Sequence, residues 1–179
     1  MAPSFCVMIL CTWGEYENDL VLFTVGPALF MAGLAIRLWA QLHLRYRLNV
    51  KTTLTVTGPY HYVRNPIYIG NTVLLVGACW MSEILWFIPL LVANCALVYG
   101  LVVRYEEKHL LRKYGEPYLA YLRRTPRWFP RFRGADDTKC VSVRRFLLPS
   151  LRAEAVQLLY LSMPIAKELL LKLNFINGH

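Results

Sequence analysis

Charge is scarce in this sequence. Asp, Glu, Lys and Arg make up 17% of its 179 residues, where a soluble domain carries about a quarter. Apolar types reach 56% and mean hydropathy is +0.37, which excludes an ordinary water-soluble globule. The five cysteines (Cys6, Cys11, Cys79, Cys95, Cys140) form no CxxC pair. They read as buried thiols, not as a disulfide framework or a zinc site. The four histidines, His43, His61, His109 and His179, are equally scattered, so no metal site is expected. No repeat and no low-complexity tract interrupts the chain. Lys and Arg are missing before Arg37, so the apolar stretch Met1 to Trp13 lacks the basic start of a signal peptide. It is too short to span a bilayer and reads as a partial or interfacial helix.

What is present is long runs without charge. Glu83 and Arg104 bracket 20 uncharged residues, Ile84 to Val103. At about 1.5 Å per residue such a helix crosses a hydrocarbon core of about 30 Å. Asn65 to Ser82 is a second run. Leu20 to Ile36 is a third, extended by Leu38, Trp39 and Leu42 past Arg37, which can snorkel. Spanning helices are expected over about 20–42, 66–82 and 84–104.

The sequence carries a net charge of +9, and its placement orients these helices. Arg37 to Arg64 holds five basic residues and no acid, and Arg104 to Arg133 holds nine against three. Glu15, Glu17, Asp19 and Glu83 lie on the opposite loops. The two basic loops fall on one side, which the positive-inside rule makes cytoplasmic. A pI near 9.5 also suits nucleic acid, but the spanning runs outweigh that reading.

Local signals mark the breaks. Gly58-Pro59 is a turn. Asn65-Pro66 is an extended residue followed by a helix start, with Asn65 as N-cap and Pro66 in the first helical position. Met81-Ser82-Glu83 turns the chain back. The third helix runs past the bilayer to Tyr114 and ends at Gly115. A short helix over Pro117 to Arg123 follows, then a non-helical Thr125–Pro130 segment whose Trp128, Phe129 and Arg127 suit the headgroup level. Residues 134–179 form a linker and an amphipathic helix, Pro149 to Phe175. Its frequent charges place it on the membrane or the protein and not across the bilayer. The fold class is therefore all-α: a polytopic membrane protein of about three to four transmembrane helices, with a core over 1–133 and a cytoplasmic-side helical C-terminal cap.

The hairpin of the second and third helices brings two clusters to one membrane face. On one arm stands Gly58-Pro59-Tyr60-His61-Tyr62-Val63-Arg64-Asn65-Pro66-Ile67-Tyr68. On the other stands Glu106-Glu107, followed by Tyr114-Gly115-Glu116-Pro117-Tyr118-Leu119-Ala120-Tyr121. Taken singly these residues have plain explanations. The acids can pair with Arg104, Lys108 or Arg112; the tyrosines can be an interfacial belt; Arg64 can meet headgroups; His61 and His109 can be interfacial. Only their combination in segments 52–68 and 104–130 points to a site.

In that combination the chain resembles the integral-membrane methyltransferases that include isoprenylcysteine carboxyl methyltransferase and the phospholipid methyltransferases. Their pattern runs from a Gly-x-Tyr turn to Arg-His-Pro-x-Tyr, a hydrophobic hairpin, Glu-Glu, Phe-Gly-x-x-Tyr-x-x-Tyr and Pro-Arg. Matching segments extend from Thr52 to Pro130. The resemblance implies S-adenosylmethionine as cofactor. It implies contacts to that cofactor from Thr52, Thr53, Leu54, Thr55, Tyr60, Asn65, Pro66, Ile67, Tyr68, Glu106 and Glu107. Arg64 and Arg104 are the candidate catalytic cations. Two positions depart from the pattern. Asn65 replaces the family histidine and cannot carry a proton. Val102 replaces the arginine that isoprenylcysteine enzymes hold four residues before the binding glutamate, with Arg104 the nearest cation.

The chemistry of these side chains agrees. Carboxylates can accept from ribose hydroxyls or pair with an ammonium, and tyrosines can stack on adenine or face a sulfonium. A helix N-terminus suits an anionic group. The expected activity is methyl transfer to a lipid-like acceptor at the cytoplasmic side of the membrane, such as the carboxylate of a prenylated cysteine, on a small molecule or a protein C-terminus. The competing readings are a phospholipid amine N-methyltransferase, a sterol-type NADPH-dependent membrane reductase and a non-catalytic scaffold.

Overall fold

The computed structural model describes residues 19–46 and 54–131, with isolated positions 148, 150 and 151. Met1 to Trp13, Thr52, Thr53 and nearly all of the expected C-terminal helix lie outside the described residues. Every described element is helical: α1 (Asp19–Tyr46), α2 (Pro59–Tyr62), α3 (Pro66–Met81), a 3-10 turn (Leu85–Phe87), α4 (Ile88–Tyr114) and α5 (Glu116–Arg124).

Two stretches are long and apolar enough to cross a bilayer, Thr24–Leu44 in α1 and Leu85–Tyr114 through α4. The third expected span, α3, has 16 residues and rises only about 24 Å. The hairpin turn explains its length. Ser82 caps the last turn through Oγ to the Ala78 carbonyl at 3.0 Å, and Glu83 takes φ 65°, a left-handed backbone rare outside glycine. Ile84 then buries completely, and the Cys79 thiol donates to its carbonyl at 3.4 Å.

α1 and α3 pack antiparallel through glycine. Gly26 and Gly33 on α1 face Gly77 and Gly70 on α3. A β-carbon added at Gly33 would sit 2.5 Å from the Leu74 nitrogen and 2.7 Å from the Gly70 carbonyl; one at Gly77 would sit 2.5 Å from the Phe30 nitrogen. Backbone thus lies directly on backbone, the arrangement that favours helix association in lipid, where dispersion replaces the hydrophobic effect. Phe30, Leu74 and Ala78 fill the space between the glycine levels.

α4 packs differently. Leu75, Cys79, Phe87, Leu91, Cys95 and Tyr99 interlock as side chains between α3 and α4. On its far side α4 exposes Leu90, Leu97 and Leu101, as a lipid-facing surface does. Past the apolar run, α4 continues to Tyr114. There Gly115 at φ 60° caps it, its N–H donating to the Leu111 carbonyl at 2.9 Å. The chain reverses into α5, which starts one residue before Pro117.

Candidate active site

α3 begins at Pro66, as the sequence predicts, but not by the expected cap. Asn65 takes φ −124° and ψ 56°, not the extended backbone expected of it, and makes no side-chain capping bond. Its amide instead donates to the Arg127 carbonyl at 3.1 Å. Two backbone bonds join the same segments: Arg64 N–H to Pro126 O at 2.9 Å and Arg131 N–H to Tyr62 O at 3.0 Å. The Thr125–Arg131 stretch is therefore a strap laid across the approach to α3. Trp128 secures it against the α3–α4 core. Gly58-Pro59 does turn the chain, and Pro59–Tyr62 adds a single helical turn, α2, where no element was expected.

Under this strap the two clusters meet. Glu107 receives Arg64 Nη1 at 2.9 Å, Arg127 Nε at 3.0 Å and Arg127 Nη2 at 2.5 Å. Its side chain and that of Arg64 are both 15% exposed, so the contacts are shielded from water. Paired with Arg127, it takes the fork geometry that arginine and carboxylate favour. The bond from Arg127 to Glu107 also raises the guanidinium's pKa. The cations along α4 that could have paired with it, Arg104, Lys108 and Arg112, are not among its partners in the described residues.

Glu106 has a different environment. It is exposed and accepts the Tyr68 hydroxyl at 2.8 Å. Tyr68 in turn stacks at 4.8 Å from the Tyr99 ring. The Tyr121 hydroxyl donates to the Tyr60 carbonyl at 2.8 Å, fixing α5 to α2. Burial, then the charge of Glu106, raises the pKa of the Tyr60 phenol. Burial, then the Tyr60 and Tyr118 phenols, raises that of Tyr121. Burial and the Glu107 carboxylate push Tyr118 up to about 12. These phenols stay neutral at physiological pH. They serve as donors and π-faces, not as bases.

A cavity of about 420 Å³ opens between these groups, within the range of small-molecule sites. Of the sequence-predicted residues it is lined by Leu54, Thr55, Tyr60, Arg64, Asn65, Pro66, Ile67, Tyr68, Glu106 and Glu107. Arg104 is exposed and absent from the wall. At about 100° per residue it points well away from the face shared by Glu106, Leu110 and Tyr114. Tyr118 and Tyr121 of the second cluster also line the cavity, as do Tyr105, His109 and Lys113, which sequence reasoning did not select. The helical repeat after Glu106 would have found His109, Leu110 and Lys113.

The chain matches the phospholipid methyltransferase family over residues 21–117. It belongs to that family. The nickel-cobalt-cadmium resistance protein NccN of Alcaligenes xylosoxydans xylosoxydans is 36% identical over 75% of this chain and 62% of its own length. The cobalt-zinc-cadmium resistance protein CzcN of Cupriavidus metallidurans is 36% identical over 71% of this chain and 57% of its own. A methanethiol S-methyltransferase of Crocosphaera subtropica is 33% identical over 50% and 35% respectively. The chain thus spans about three fifths of the length of the first two relatives. No solved structure matches it. Membership of this family and two helices long and apolar enough to cross a bilayer together point to a membrane protein.

Proposed function

We propose that this chain transfers a methyl group from S-adenosylmethionine to an amphipathic, lipid-like acceptor at the cytoplasmic membrane surface. The observation that carries the reading is the cavity itself. An exposed carboxylate, Glu106, bonded by the Tyr68 hydroxyl, stands among neutral phenols beside a helix N-terminus, and the guanidinium of Arg64 keeps a buried Nε with no hydrogen-bond partner among the described residues. That set fits a ligand with both cationic and anionic ends. Glu106 would accept from hydroxyl or ammonium groups. Tyr60, Tyr68 and Tyr118 offer π-faces to a sulfonium. Arg64 Nε and the start of α3 suit a carboxylate. Leu54 and Thr55 complete one wall. When bound, the cofactor supplies an electrophilic methyl carbon. The chain's own contribution is alignment and exclusion of water.

The acceptor follows from proton bookkeeping. A carboxylate or thiolate attacks without a base, whereas an ammonium must first lose a proton. Asn65 cannot take one, and His109 is the one imidazole among the described residues of the cavity wall. A prenylated-cysteine carboxylate remains the first candidate. The S-methyltransferase relative favours testing an apolar thiol beside it, and a phospholipid amine is the third. Two relatives are named for metal resistance. Among the described residues no group of three or more His, Cys, Asp or Glu could hold a metal ion, so direct metal binding forms no part of the proposal.

Titrating S-adenosylmethionine against the purified protein in detergent tests the first half, with NADPH as the competing ligand. Radiolabelled methyl transfer to the three acceptors tests the second. Binding of NADPH without S-adenosylmethionine, or the absence of transfer to every acceptor, would refute the reading.

A further inference from the structure

The adjacent acids Glu106 and Glu107 look interchangeable in the sequence, yet their contacts divide them. Glu107 is occupied by two guanidiniums through three hydrogen bonds. Glu106 bonds a neutral phenol and stays exposed. We infer that Arg127 is a positioning residue for the cavity, acting through Glu107 to orient Arg64 and hold the strap closed, while Glu106 alone is the carboxylate offered to ligand.

The charges support this division. Arg64 and Arg127 together outweigh Glu107 by one positive charge, so the cluster presents no free anion. Without Arg127, a mostly buried Glu107 keeps only the single bond from Arg64 and competes with Glu106 for a cationic ligand. An under-satisfied buried carboxylate is costly, so its neighbours would move. Those neighbours are mechanically connected. Arg127 lies between Pro126, whose carbonyl binds the Arg64 N–H, and Trp128, which packs on the core. Its own carbonyl holds Asn65. Thus one residue couples the strap to the start of α3 through its carbonyl and to Glu107 of α4 through its guanidinium. Asn65 is here a strap contact, which accounts for a residue that carries no proton at that position.

The test uses the full chain in detergent with Arg127→Gln, Glu107→Gln, their double variant, Arg127→Lys and Glu106→Gln. S-adenosylmethionine affinity should fall roughly tenfold in R127Q and in E107Q, and no further in the double variant, because contacting residues are not additive. R127K, which keeps the charge but not the fork, should recover part of the loss. R127Q combined with E106Q should instead multiply their effects. Hydrogen exchange supplies a readout that needs no ligand. The Arg64 and Arg131 amides should exchange faster in R127Q, with the α1–α3 amides unchanged. Multiplying effects of R127Q and E107Q, or unaltered strap exchange, would overturn the inference. The affinity arm rests on the proposed cofactor and the exchange arm does not. If the wild-type protein binds no S-adenosylmethionine, the function falls while exchange still decides the role of Arg127.

Discussion

The two flanks of α3 are built on opposite plans. Toward α1 it presents glycine, and the contact consists of backbone pressed on backbone. Toward α4 and the strap it presents Tyr68, and the Arg64-Asn65 approach to it, making directed bonds to Glu106, Glu107 and Arg127. The first flank admits no added atoms and so fixes the scaffold. The second is made of side-chain bonds that can rearrange, and it lines the cavity proposed as the active site. Stability and ligand recognition are therefore separable along one short helix.

The sharpest way to break that contrast is Gly33→Ala. The new β-carbon meets main-chain atoms of α3 that cannot swing aside, so the helices must part. A loss of about 3 kcal/mol is expected, seen as a collapsed melting midpoint in detergent; an unchanged midpoint would show that the close contact is not maintained. Next in size is Glu106→Ala. It should weaken S-adenosylmethionine about a hundredfold, the scale of a lost hydrogen bond to a charged group, while leaving the melting midpoint in place. Unaltered affinity would remove Glu106 from the site.

Tyr121→Phe should cost about 1 kcal/mol, the worth of one buried hydrogen bond, and loosen α5 without touching the glycine flank. Alkali probes the same region. The Tyr118 phenol is raised from 10 to about 12 in the folded chain. Its contribution is therefore complete below pH 10, and stability declines as pH climbs from about 10 toward 12, because the unfolded phenol ionises first. Chemical denaturation across that interval should show the decline, and it should shrink in Tyr118→Phe. The smallest effect sharpens the comparison most. Gly100→Ala, on a part of α4 where an added β-carbon meets nothing within 4 Å, should be neutral or gain about 0.5–1 kcal/mol. The same substitution thus has opposite signs in two helices.

Much of this was legible in the residues, for physical reasons. Proline fixes backbone locally, so the start of α3 at Pro66 could be placed from the sequence; Gly115 marked the end of α4 in the same way. The tight hairpin expected between the two apolar runs put Tyr60, Arg64 and Glu106 at one face before any coordinates, and all three line the cavity. The partners of Glu107 were not legible. The nearest cations on its own helix were the natural guess, and Arg127 reaches it only because the chain reverses at Gly115 and again after α5. The function of Asn65 was hidden likewise, since a capping side chain and one bonded to a distant carbonyl have the same sequence signature. The seven-residue spacing of Gly26 with Gly33 and of Gly70 with Gly77 is visible in the sequence, but their pairing depends on the register of two antiparallel helices. Arg104 is the converse case, a suitable charge that stands exposed and outside the cavity wall.

The shortness of α3 has one more consequence. Its rise of about 24 Å falls some 6 Å below a typical oil layer. To reach both surfaces it must thin the bilayer around itself or draw its ends inward. With α3 set across such a bilayer, the mouth beside Pro66 would sit below the headgroup surface. On the proposed reading a tailed acceptor would offer its head to Glu106 from there, and turnover should vary with the thickness of the vesicle.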